Sequence, residues 1–76
     1  MNNERRKEID KVISELEGLR SRIEDLKGEE QDAFDNMPES LQMAERGEQM
    51  QQALDNLENA DSTFDELLTY LEDAKE

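Results

Sequence analysis

Carboxylates are the only abundant reactive groups in this chain, with 22 Asp and Glu against 9 Lys and Arg in 76 residues, no His and no Cys. Paired carboxylates do general acid–base work when one sits in an apolar pocket that raises its pKa, and they hold Ca2+ when alternate residues of a loop converge on the ion. Neither arrangement is well formed here. The nearest approach to a Ca2+ loop is Asn59-Ala60-Asp61-Ser62-Thr63-Phe64-Asp65, where Phe64 replaces the glycine of the turn and Tyr70 replaces the terminal bidentate glutamate. Glu30 is the one candidate acid within an apolar stripe. A lone polar residue at such a place more often sets register or oligomer state than it catalyses. Without His and Cys the chain lacks the commonest general base, the usual pH switch, disulfides and thiolate metal sites. It also has no Gly-rich phosphate loop. The expectation is a non-enzymatic protein with no catalytic residue, no metal and no cofactor.

The elements that position these carboxylates are legible as heptads. With Ile9 at position a, the a sites are Ile9, Leu16, Ile23, Glu30 and Met37, and the d sites are Val12, Leu19, Leu26 and Ala33. A second series places Met43, Met50, Leu57, Phe64 and Leu71 at a, and Arg46, Ala53, Ala60, Leu67 and Ala74 at d. Between them lies the only proline, and the residue before a proline is disfavoured in the helical region. The pattern predicts one domain over residues 1–76: helix 1 over about 3–35, a connector over about 36–43 and helix 2 over about 44–75. The restart has two readings. Asn36 and Glu39 have capping-box spacing for a helix from about residue 38, or Pro38 to Gln42 form a short turn before a long helix from about Ala44.

Helices of similar length make an all-α, coiled-coil-like antiparallel hairpin. An a/d seam would face Val12 to Leu67, Leu16 to Phe64, Leu19 to Ala60 and Leu26 to Ala53, with Glu30 near enough to pair with Arg46. Two helices alone bury little surface, so the hairpin is expected to dimerise into a four-helix bundle. Ile13, Leu54, Leu68 and Tyr70 lie outside the a/d stripes and are the candidates for self-association. Their alternative role is to widen the intramolecular stripe.

Charge divides the chain in two. Residues 1–28 carry seven acidic and seven basic side chains, whereas residues 29–76 carry fifteen and two. Asp55, Glu58, Asp65, Glu66, Glu72 and Asp73 fall at outer heptad positions of helix 2, where steps of three and four residues set carboxylates about 5 Å apart along the axis. Such a row suits a basic groove that otherwise holds a phosphate backbone. Near the loop, Phe34, Met37, Leu41 and Met43 are candidate apolar anchors for a partner, or caps on the hairpin. Direct binding to nucleic acid or to an anionic membrane is disfavoured by the net charge of −13. No apolar run approaches a membrane span and no signal peptide follows Arg5-Arg6-Lys7, so a cytoplasmic location is expected.

The stretch Glu29-Glu30-Gln31-Asp32-Ala33-Phe34-Asp35-Asn36-Met37-Pro38-Glu39-Ser40-Leu41-Gln42, with Glu45-Arg46-Gly47-Glu48 and Met50 after it, resembles a group of small, mostly uncharacterised proteins of gut Firmicutes and their phages and mobile elements. The resemblance extends from Glu4-Arg5-Arg6-Lys7 nearly to the C-terminus, and the Asn-x-Pro-Glu-Ser-Leu-Gln connector is its most specific part. It implies an acidic helical hairpin and no particular activity, catalytic residue or cofactor. Members often have a hydroxyl residue where this chain has Ala44, so a side-chain cap is not expected there. In size, charge and helical content the chain also resembles phage inhibitors of host defence.

Together these features lead to the expectation of an acidic interaction protein, phage-type and DNA-mimic-like, that inhibits a basic nucleic-acid-handling protein of the host. The alternatives are a structural hairpin whose main partner is itself and an antitoxin or regulator.

Overall fold

The computed structural model describes residues 1–76 and is all-helical: α1 (Asn3–Asp35), α2 (Glu39–Gln42) and α3 (Glu45–Lys75). The two long helices pack antiparallel into a rod of 58 × 15 × 11 Å, with α2 at the turn. Each helix ends for a local reason. At the start of α1, the Asn2 side chain accepts the Arg5 N–H at 2.9 Å, satisfying one of the free amides of the first turn. At its end the Asn36 N–H still reaches the Asp32 carbonyl, but Pro38 has no N–H to continue the ladder.

The connector follows the second of the two readings. Pro38 is extended (φ −57°, ψ 144°), its carbonyl accepts from the Leu41 and Gln42 amides, and α2 closes as a single turn. The Asn36–Glu39 capping box does not form, because Pro38 rather than Asn36 precedes the first helical residue of α2. Ala44, extended at φ −87° and ψ 175°, precedes α3 with no side-chain cap.

The connector is drawn in by Gly47, which lies within α3 yet is buried against the backbone of Gln42. A Cβ at this position would overlap the Gln42 carbonyl. The Gln42 side chain in turn donates to the Phe34 carbonyl at 2.8 Å, a second bond to an acceptor that also takes the Met37 N–H at the end of α1. Glycine carries an entropic cost inside a helix, and here it permits an approach that no other residue allows.

The seam is rotated from the expected a/d pairing to a/e. In α1 the buried and half-buried positions are Arg6, Ile9, Ile13, Leu16, Arg20, Ile23, Lys27, Glu30 and Phe34. In α3 they are Gly47, Met50, Leu54, Leu57, Asp61, Phe64, Leu68, Leu71 and Lys75. Val12, Leu19, Leu26 and Leu67, assigned to the d half of the seam, are instead 43, 47, 55 and 40% exposed. The reason lies in α3, whose d row is mostly alanine whereas its e row contains Leu54 and Leu68, so burying the e row removes more apolar surface from water. The same rotation brings the e-row cations of α1 onto carboxylates of α3.

Ile13, Leu54 and Leu68 therefore lie in the intramolecular seam, the alternative role that the sequence offered for them. Ile13 and Leu54, at 8 and 9% exposure, are the two buried apolar side chains. Of the four residues assigned to self-association, only Tyr70 is open to solvent, at 72%. Glu30 is half-buried but does not pair with Arg46, because the rotation leaves Arg46 exposed on the d side.

Candidate functional site

The charges sort into paired and unpaired sets, and the helices decide which is which. Position e on α1 lies beside positions b and e on antiparallel α3, so residues seven apart on α1 meet a matching series on α3. Arg20 is the hub. Its Nε donates to Asp61 Oδ1 at 3.0 Å and its Nη1 to Asp65 Oδ1 at 2.6 Å, while Glu24 of its own helix lies 3.6 Å away. The side chains of Arg20 and Asp61 are only 24 and 18% exposed, so this pair is sheltered more than an ordinary surface bridge. The hydrogen bonds to Asp65 and then Asp61 raise the Arg20 pKa above its ordinary value, so the guanidinium stays charged.

Lys27 pairs with Glu58 further toward the loop. At the opposite end Lys75 Nζ donates to Asp10 Oδ1 at 2.7 Å and lies 2.9 Å from Glu72. These hydrogen bonds, Asp10 first, raise the lysine pKa above 10.5. Arg6 Nε donates to the carbonyls of Lys75 and Glu76 at 2.6 and 2.9 Å, closing the last turn of α3 with a cation from α1. None of these four cations was singled out from the sequence. The signal was the seven-residue row Arg6, Ile13, Arg20, Lys27, in which the cations share a face with an apolar residue.

The expected acidic face divides accordingly. Glu58, Asp65 and Glu72 are tied to Lys27, Arg20 and Lys75, whereas Asp55, Glu66 and Asp73 are exposed and form no ion pair. Toward the loop the balance changes. No cross-helix ion pair occurs beyond Lys27–Glu58, yet residues 29–55 carry eight carboxylates and a single cation, Arg46. Among them Asp35 accepts a hydrogen bond from Gln31, and Glu29, Asp32, Glu39, Glu45, Glu48 and Asp55 are exposed.

The apolar anchors divide too. Phe34 and Met37 are half-buried and cap the hairpin, while Leu41 and Met43 are 48 and 77% exposed on the outside of the turn. Phe34 and Leu54 also line a shallow groove with Gln31, Gln51 and Asp55. The loop end thus combines a strong negative field, able to draw in a positively charged surface, with two flexible apolar side chains able to desolvate against it.

Asn59 to Asp65 lie within α3, with Phe64 half-buried in the seam and Asp61 committed to Arg20. No three acidic side chains converge as a metal cage, and no helix is long and apolar enough to cross a membrane. Neither a protein-family model, nor a curated protein, nor a solved structure matches the chain.

Proposed function

We propose that this chain is a non-enzymatic interaction protein whose loop end engages the basic groove of a nucleic-acid-handling protein and inhibits it by occupying the place of a phosphate backbone. The supporting observation is the distribution of unpaired charge. Carboxylates beyond Lys27–Glu58 are left without cross-helix partners and surround the exposed Leu41 and Met43. Negative charge would steer the encounter and hold the partner at low salt, and the two apolar side chains would desolvate against it once it is engaged. The outer carboxylates Asp55, Glu66 and Asp73 extend the same field along α3. The likeness in size and charge to phage inhibitors of host defence is consistent with this role.

The test is capture of partners from nuclease-treated host lysate at about 0.1 M and about 0.5 M salt. Recovery of one basic nucleic-acid-binding protein that elutes at the higher salt is expected. Replacing Glu45, Glu48 and Asp55 by Gln together with Met43→Ser should abolish capture with helicity retained, while Glu66→Gln with Asp73→Gln should weaken it less. Equal losses from the two sets would move the contact to the whole acidic face. Recovery of the bait alone would overturn the proposal in favour of a self-assembling hairpin, a reading favoured by a different surface.

A further inference from the structure

The rotation that buries the e rows leaves the d rows uncovered. In an antiparallel hairpin, equivalent heptad positions of the two helices fall on the same side of the seam. Val12, Leu19 and Leu26 of α1 therefore share one long face with Leu67 and Tyr70 of α3, with Ala53 and Ala60 between them. The e side is sealed by Arg20, Lys27 and Lys75 in cross-helix ion pairs, whereas the d side has none. We propose that this d face is where a second copy of the chain docks, completing an antiparallel four-helix bundle. The proposal is independent of the function assigned to the loop end.

Charge placement identifies the occupant. Segment Glu45–Lys75 contains nine carboxylates, and none falls at a d or g position, where the chain has the single cation Arg46 and otherwise the uncharged Gln49, Ala53, Asn56, Ala60, Thr63, Leu67, Tyr70 and Ala74. A face meant only for water in so acidic a helix has no reason to exclude carboxylates. The matching g edge of α1 carries Glu8, Glu15, Arg22 and Glu29. A two-fold axis parallel to the helices lays α1 of one copy over α3 of the other, so this charged edge meets one free of carboxylates and acidic side chains are kept apart.

The same axis preserves height along the rod, and the Arg20–Asp61 and Lys27–Glu58 pairs set the relative heights of the two helices. Leu26 of the second copy then falls between Ala53 and Ala60, and its Leu19 between Ala60 and Leu67, as knobs entering holes. Size agrees as well. A face of 58 × 15 Å matches the roughly 800 Å² per partner of a standard stable interface. Covering it also turns the half-buried a row, Ile9, Leu16, Ile23, Leu57, Phe64 and Leu71, into the centre of a bundle. The single hairpin by itself excludes no side chain completely from water.

Sedimentation equilibrium of the full chain tests this. A dimer is expected that tightens between about 0.05 M and about 0.5 M salt, because salt screens repulsion between two acidic chains. Leu19→Lys with Leu26→Lys should weaken it by about 100-fold or more, since each lysine would be buried without a partner, while Asp55→Lys with Glu66→Lys on the outer face should leave it intact. If the lysine pair lowers helicity, Leu26→Ala, which favours helix, should still weaken association. With no native cysteine, a mixture of Leu26→Cys and Ala53→Cys chains should form disulfides between the two variants. A wild-type chain that stays monomeric with a concentration-independent Tm, or a dimer indifferent to Leu19 and Leu26, would overturn the proposal. Disulfides joining each variant only to itself would overturn the parallel axis.

Discussion

At the end of the hairpin where the termini meet, Arg6 and Lys75 tie the helices together, and Arg20 and Lys27 continue the lacing toward the middle. At the other end no such lacing exists. There the helices are joined by a single turn of helix, the Gln42–Phe34 hydrogen bond and Gly47 against the Gln42 backbone. The two ends show how one acidic chain obtains both a stable hairpin and a free negative surface. A carboxylate used to hold α1 to α3 is neutralised and lost to outside partners, so an end held by backbone contact can keep its charges available.

The comparison is broken most strongly through the two residues that anchor either half. Leu54→Ala in the loop half or Ile13→Ala in the open half should each cost about 3 kcal/mol by removing a buried side chain, read from urea denaturation at fixed protein concentration. A cost below about 1 kcal/mol would return the seam to the a/d rows, in which neither residue takes part.

Glycine substitutions sharpen the loop end with a difference in sign. Gly47→Ala should destabilise by about 2 kcal/mol through overlap with Gln42. Gly18 and Gly28, where an added Cβ meets nothing within 4 Å, should each gain about 1 kcal/mol on becoming alanine. Thermal melts of the three variants decide it, and stabilisation at all three would show that the connector does not press on α3.

Salt should separate the ends at a smaller scale. Raising ionic strength from about 0.05 M to about 0.5 M is expected to lower amide protection near Asp10 and Lys75 by hydrogen exchange, while Phe34 to Gly47 change little. Dimerisation through the d face would tighten under the same change, so the measurement belongs on a variant that remains a folded monomer.

The smallest effect is alkaline. Lys75 has a pKa raised above 10.5 by Asp10 and Glu72, so its contribution is fully present below that value and is lost as pH rises through the raised pKa. Fraying of the open end should increase as pH rises above about 10.5, and Lys75→Met should remove that increment. Amide-resolved spectra would show it at the termini and not at the connector.

Heptad spacing and one proline were enough to place the two long helices and their antiparallel pairing, and they left the short helical turn after Pro38 as one of two readings. These depend on local preference and on period, both carried by the linear chain. The face on which the helices meet was not legible in the same way. On α1 the d row of Val12, Leu19 and Leu26 has as strong a claim as the e row of Ile13 and Phe34, and no single-helix pattern chooses between them. The choice required both helices at once, because burying Leu54 and Leu68 outweighs burying Ala53 and Ala60 only when α3 is set against α1.

The candidate surfaces followed the same division. The sequence by itself determined that this would be an acidic helical hairpin with its net charge in residues 29–76. Only the tertiary structure decided that Glu58, Asp65 and Glu72 would be held by cations, that Leu41 and Met43 would face outward, and that Val12, Leu19 and Leu26 would remain uncovered. Charge count is a property of the chain, but neutralisation and exposure depend on which side chains the rotation of two helices brings within a few ångströms of each other.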